Sequence, residues 1–172
     1  MTNTHLNLIH DVIQTVSNTM NCIDRLDWEG YKNNFVKDTV IFDYTSLNGG
    51  DPYKGSVDDF INLVIQTLPG YDATCHQTTN HEVNIENDKA HFYSKVIATH
   101  YITNTMQDDN YWQAIGFYDI FLRKEELKWN IYLLKFTKTF VLGDCVGLRQ
   151  LAKERSDCSR KHRQNSLARF EY

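Results

Sequence analysis

Apolar side chains recur at helical spacing at the start of the chain. Leu6, Ile9, Val12, Ile13, Val16, Met20 and Ile23 fall on one stripe, which predicts an amphipathic helix over about residues 4–23. A second, short helix is predicted over 28–35, with Asp27 as its N-cap. The run TVIFDY (39–44) reads as a short apolar strand. The stretch SLNGGDPYKG (46–55) is dense enough in turn formers to read as a loop. Ser56 and Asp59 have the spacing of a capping box with Asp in place of Glu. They open a helix through Phe60, Leu63, Val64 and Leu68 that Pro69-Gly70 ends.

Beyond Gly70 the pattern turns to strand. Strands are predicted over about 73–87, 90–103, 111–123 and 128–141, with Asn87-Asp88 and Glu125-Glu126 at the hairpin turns. Helices first and antiparallel strands after is an α+β pattern, with the helices packed on one face of a curved sheet. No internal repeat or linker interrupts it, so 1–142 is expected to be one domain. A basic tail that can form a helix would follow over 143–172.

At 172 residues the chain is long enough for one well-buried core. The net charge of −4 gives no reason to expect a nucleic-acid partner. The charge is uneven: from Gly143 onward seven Lys/Arg face four Asp/Glu, against eleven and eighteen in the body. Such a tail is expected to be a solvated helix or an arm against a neighbouring subunit, rather than an RNA- or membrane-binding segment. Cys22, Cys75, Cys145 and Cys158 lie far apart without zinc spacing, and the start lacks a basic, apolar leader. No segment has the length of a membrane span. These features together predict a soluble, cytoplasmic protein with reduced thiols.

The candidate chemistry centres on histidines. In the strand after Lys89 the even positions read Ala90, Phe92, Ser94, Val96, Ala98, His100, Ile102, so His100 shares the apolar face and needs a polar partner there. Within ATCHQTTNH (73–81), His76 and His81 are five apart, and in a regular strand they point to opposite faces. That argues against a shared metal, and no third ligand stands at recognisable spacing. His5, His10, His91 and His162 read as solvated surface residues. Asp24 directly follows the apolar stripe of the first helix. It can be a half-exposed ion-pair partner or the group that orients a histidine. Tyr44 ends the first strand, where its phenol can polarise a carbonyl or simply form a rim. Several of Phe92, Tyr93, Trp112, Phe117 and Phe121 are expected to line an apolar pocket for a ring-shaped ligand.

The order DRLDW (24–28), TVIFDY, TCHQTTNH, IATHY and GFYDIFLRKEELKW resembles scytalone dehydratase and the wider SnoaL-like polyketide cyclase group over about residues 5–141. The resemblance implies the fold of nuclear transport factor two and ketosteroid isomerase: a cone-shaped, strongly bent antiparallel sheet with N-terminal helices on its concave face. It implies that Asp24 orients a histidine, that His76 and His100 are the two catalytic histidines, and that Tyr44 helps hold a water on the substrate carbonyl. His81 has no counterpart. Ile23 stands where the dehydratase has a second water-binding tyrosine, and Gly116 and Tyr118 replace a serine and an asparagine that contact substrate. Scytalone itself is therefore not the expected substrate.

The set suits elimination or isomerisation beside a carbonyl, with an imidazole moving the proton and phenols stabilising the enolate. The expected protein is a lyase or isomerase needing no metal or organic cofactor, acting on a small, apolar or cyclic carbonyl compound. The alternatives are a non-catalytic small-molecule-binding domain or an assembly subunit of the same fold, since fold alone does not decide function. The resemblance also implies a homo-oligomer, a trimer before a dimer.

Overall fold

The apolar stripe at the N-terminus winds into helix α1 (Asn3–Arg25), whose Val12, Val16, Met20 and Ile23 are buried. In this computed structural model, residues 3–103 and 110–158 are described. Leu26, at a φ of 57°, turns the chain out of α1. Asp27 then caps α2 (Trp28–Lys32), its carboxylate accepting from the Gly30 N–H at 2.9 Å. Strand β1 (Val40–Asp43) follows.

The stretch expected to be a loop is more ordered than its composition indicated. It holds a single-turn helix α3 (Thr45–Asn48) and an edge strand β2 (Tyr53–Gly55) paired antiparallel to β1. Both are secured from outside: the Ser46 hydroxyl donates to the Phe136 carbonyl at 2.7 Å, and the Tyr53 phenol to the Ser56 carbonyl at 2.7 Å. Helix α4 (Val57–Val64) opens on the expected cap, with the Asp59 N–H donating to the Ser56 hydroxyl at 3.1 Å. A turn of 3₁₀ helix (Leu68–Gly70) ends the segment.

Four long strands build the rest: β3 (Ala73–Glu86), β4 (Lys89–Tyr101), β5 (Tyr111–Glu125) and β6 (Lys128–Gly143). The sheet order is β2-β1-β6-β5-β4-β3. β3 to β6 pair antiparallel as expected, and so do β1 and β2, while β1 joins β6 in parallel, so the whole sheet is mixed. Register shifts at Thr79/Glu82, Ile115/Gly116 and Phe121/Leu122 mark bulges, which increase local twist and help bend the long strands around the helices. Along β4 and β5 even-numbered residues are buried in alternation with more exposed odd ones, which puts the core on the concave side.

The start of the tail is integral to this body. Helix α5 (Cys145–Arg155), N-capped by Asp144, buries Leu148 and Ala152 completely against the 3₁₀ turn. Contact there is so close that a Cβ on Gly70 would meet the Ala152 carbonyl oxygen at 1.8 Å. Residues 159–172 of the tail lie outside the described residues.

Candidate active site

The wide end of the concave face encloses a cavity of about 400 Å3. Its floor comes from the middle of the sheet (Ala98, His100, Trp112, Ala114, Tyr118, Leu134), and its walls from α1, α2, α4 and α5. Apolar and aromatic side chains dominate the lining, as in pockets that exclude water from a small ligand.

Asp24 lies in the last turn of α1, where the carbonyl ends of the helix disfavour a carboxylate. Hydrogen bonds from β3 offset this. His76 Nδ1 lies 2.7 Å from Asp24 Oδ1, the His76 backbone N–H donates to Oδ2 at 2.8 Å, and the Thr74 hydroxyl donates to Oδ1 at 2.8 Å. Burial raises the affinity of the Asp24 carboxyl for a proton, but these contacts outweigh it and hold the group below the ordinary carboxylate range. A carboxylate against Nδ1 fixes that nitrogen as the N–H, which leaves His76 Nε2 as the acceptor on a ring that lines the cavity.

His100 sits beside it on β4, with the two imidazole centroids 5.6 Å apart and the rings edge to face. The polar partner expected for His100 is only partly supplied: the Ala98 backbone acts on the ring as a hydrogen-bond partner, but Nδ1 is buried without one among the described residues. Aromatic packing also holds this ring. Trp112 stacks on it at 4.0 Å with planes 3° apart, and Tyr71 packs at 5.0 Å. Trp112 is itself held by its indole N–H, which donates to the Tyr71 hydroxyl at 2.9 Å. Burial, and then the neighbouring His76, push the His100 imidazole well below the ordinary histidine range, so it is neutral at neutral pH.

A cluster of phenols forms the third part of the lining. Tyr44, which the sequence singled out, lines the cavity together with Tyr118 and Tyr31. Burial pushes Tyr44 up to about 12, against a hydrogen bond from Tyr118 that acts in the opposite sense. Tyr118 is raised further by burial and by Tyr44, and Tyr31 by burial and then Tyr44. All three are therefore neutral donors at neutral pH. The Tyr44 and Tyr118 phenols both line the cavity and can donate into it.

Of the other residues singled out, Ile23, Trp112 and Tyr118 line the cavity, and Phe92, Gly116, Tyr93, Phe117 and Phe121 do not. Phe92 is fully buried farther along β4, between Val83 and Ile120, at the end where the core closes over the sheet. Gly116 is a packing position: a Cβ there would meet the Thr137 carbonyl oxygen at 2.1 Å and the Phe136 ring at 3.0 Å. Tyr93, Phe117 and Phe121 occupy odd positions on the opposite face of the sheet, Tyr93 and Phe117 stacked at 5.6 Å.

His81 does not point away from His76 as strict alternation required. The extra β3 residue between Thr79 and Glu82, with Asn80 at a φ of 55°, turns it back, so that its ring packs on Phe92 at 5.1 Å. It remains exposed and outside the cavity lining. His91 is not a plain surface residue either, because it pairs with Asp119 at 2.9 Å and stacks on Phe121 at 4.5 Å.

Sequence reasoning missed Tyr31, Tyr71, Phe60 and Arg149 as lining residues. Tyr31 had a faint signal, three residues after Trp28 on a short capped helix. Arg149 had none, because only the docking of α5 brings it to the cavity. Among the described residues no cluster of three His, Cys, Asp or Glu side chains could hold a metal, and no helix is long and apolar enough to cross a membrane.

The SnoaL-like domain family matches residues 4–135, and the chain belongs to that family. No curated protein matches the sequence at a significant level. Solved structures share the fold at low identity. The Kfla4162 protein of Kribbella flavida superposes with a TM-score of 0.72 at 21% identity, covering 84% of this chain and 95% of that one. A protein assigned as a scytalone dehydratase, from Novosphingobium aromaticivorans, gives 0.68 at 19% identity over 83% and 91%. The hexachlorocyclohexane dehydrochlorinase LinA-type3 of Novosphingobium barchaimii gives 0.64 at 16% identity over 80% and 90%. The fold of this chain is thus the cone-shaped α+β fold that dehydratase-like and dehydrochlorinase proteins also adopt.

Proposed function

We propose that the protein is a cofactor-independent lyase or isomerase that moves a proton beside the carbonyl of a small, cyclic, largely apolar compound. The observation that carries this reading is the Asp24-oriented His76 beside a neutral His100 in a cavity otherwise lined by apolar and phenolic side chains. His76 Nε2 takes the proton alpha to the carbonyl, and the Asp24 carboxylate stabilises the imidazolium that forms. The electron pair moves onto the carbonyl oxygen, which receives the O–H of Tyr44, with Tyr118 behind it. In elimination the bond to a beta hydroxyl then breaks, and the proton held by His76 leaves with it as water. In isomerisation the same proton returns to another carbon. His100 stands beside His76, with the ring centroids 5.6 Å apart, as the second imidazole facing the substrate. Each of these effects is worth about 2 to 5 kcal/mol of barrier, so together they suffice without a metal or organic cofactor.

The deciding experiment is proton–deuterium exchange of 1-tetralone in heavy water, followed by NMR. The intact protein is expected to accelerate loss of the alpha-proton signal, and His76→Ala to lose that acceleration. Tight binding of the ketone with no exchange would favour the alternative, a binding domain of the same fold.

We also propose that the chain forms a homo-oligomer, a trimer before a dimer. Ile97, Tyr101, Tyr111, Phe140 and Leu142 are exposed large apolar side chains on the long strands, and a second copy would cover such a face. Light scattering at micromolar concentration is expected to give a multiple of the chain mass. A monomer would overturn this.

A further inference from the structure

Arg149 is the one Lys, Arg, Asp or Glu side chain among the described residues that line the cavity. It reaches the cavity from α5 and is itself exposed, which places it at the mouth. Its guanidinium carbon lies 5.8 Å from the centroid of the Trp112 ring, and its Nη1 donates to Asn48 Oδ1 at 3.0 Å. No carboxylate pairs with it among the described residues, whereas Arg155 in the same helix pairs with Asp72 at 2.7 Å. The fork is therefore positioned by a neutral amide and an aromatic ring, and no carboxylate among the described residues compensates its charge. Trp112 in turn stacks on His100, so the guanidinium stands one indole ring away from the histidine pair.

We infer that Arg149 receives a carboxylate on the ligand, so that the preferred compound is a ring-containing keto acid, bound more tightly than its neutral counterpart. A guanidinium offers two parallel N–H donors that match a carboxylate, and its contacts with Trp112 and Asn48 reduce the conformational freedom lost on binding. The apolar lining takes the ring, and the tyrosine cluster stays available to the reacting carbonyl. The proposal rests on the reading of the cavity as the substrate site. It makes Arg149 a specificity-determining residue and gives it no part in proton transfer.

The test compares 2-naphthoate with the neutral isostere 2-naphthamide by isothermal titration calorimetry at neutral pH. The intact protein is expected to bind the naphthoate at least about tenfold more tightly, a difference that shrinks with added salt. Arg149→Met should abolish the preference, with the naphthoate losing far more affinity than the amide, and Arg149→Lys should retain part of it. Unchanged circular dichroism and melting of Arg149→Met would establish that the fold is intact. Equal binding of both probes by the intact protein, a preference that survives Arg149→Met, or binding of neither probe would overturn the inference. His76→Ala should keep the preference. Failure of ketone exchange with the preference intact would thus count against the catalytic reading alone.

Discussion

The Asp24 carboxylate holds His76 at two points, accepting from the ring Nδ1 at 2.7 Å and from the backbone N–H at 2.8 Å. One contact sets the tautomer and the other fixes the strand beneath the ring, so the imidazole can present only Nε2 to the cavity. Helix α1 and strand β3 are thereby linked through a single side chain.

Asp24→Asn keeps the shape of the side chain and removes its charge. Exchange or elimination should slow by about 100-fold or more, because the amide neither fixes the tautomer nor stabilises the imidazolium. Loss of charge-assisted hydrogen bonds should destabilise the fold by about 1.5 to 3 kcal/mol. Denaturant titration alongside the rate measurement separates the two effects, and an unaltered rate in a folded variant would refute the orienting role.

His76→Ala and His100→Ala should each cost roughly 100- to 10000-fold in turnover. If the rings act as a unit, the double variant should be little worse than the poorer single. His81→Ala should be nearly silent, since that residue is exposed and outside the cavity. Loss of activity in His81→Ala with His76→Ala tolerated would reverse the assignment. Activity of the intact protein should also survive treatment with a chelator.

Tyr44→Phe removes a phenol hydroxyl that lines the cavity and should cost about 100- to 1000-fold in turnover. Tyr31→Phe tests whether the α2 phenol stands in for the tyrosine that Ile23 replaces. A loss of similar direction and smaller size is expected. Because burial pushes Tyr44 up to about 12, its ionisation should add no basic limb to the rate profile below about pH 10.

Acidification should lower stability in two stages. His100 is held neutral well below the ordinary histidine value, chiefly by burial. The unfolded chain takes up that proton from about pH 6.5 downward while the folded protein does not, so stability falls with pH from there. Asp24 is held below the ordinary carboxylate value, so its contribution is present above about pH 4 and is lost as pH falls through the lower folded value. Melting temperatures measured from neutral pH to pH 3 should show both stages, and His100→Phe should remove the first alone. Persistence of that first stage in His100→Phe would refute its assignment to this ring.

The linear pattern carried the elements and most of the reactive groups. Spacing of three and four residues located α1, period-two runs located the long strands, and Asp27 and Ser56 marked the helix starts where their side chains do cap. These signals are legible because capping and amphipathicity act over a few residues. The parity of β4 likewise put His100 on the buried face, and the resemblance drew Asp24, Tyr44, His76 and His100 into one set. Other features depend on groups distant in the chain. The parallel pairing of β1 with β6 and the ordering of 45–48 rest on contacts with β6, and the ordering of 53–55 rests on β1. A one-residue bulge decided where His81 points, and close approach of β6 made Gly116 a packing position. His100 proved to be packed between Trp112 and Tyr71, and Arg149 reached the cavity only because α5 docks on the 3₁₀ turn. Sequence alone determined which residues could do chemistry. Tertiary packing decided which of them share a desolvated space, because burial and proximity are properties of the folded chain.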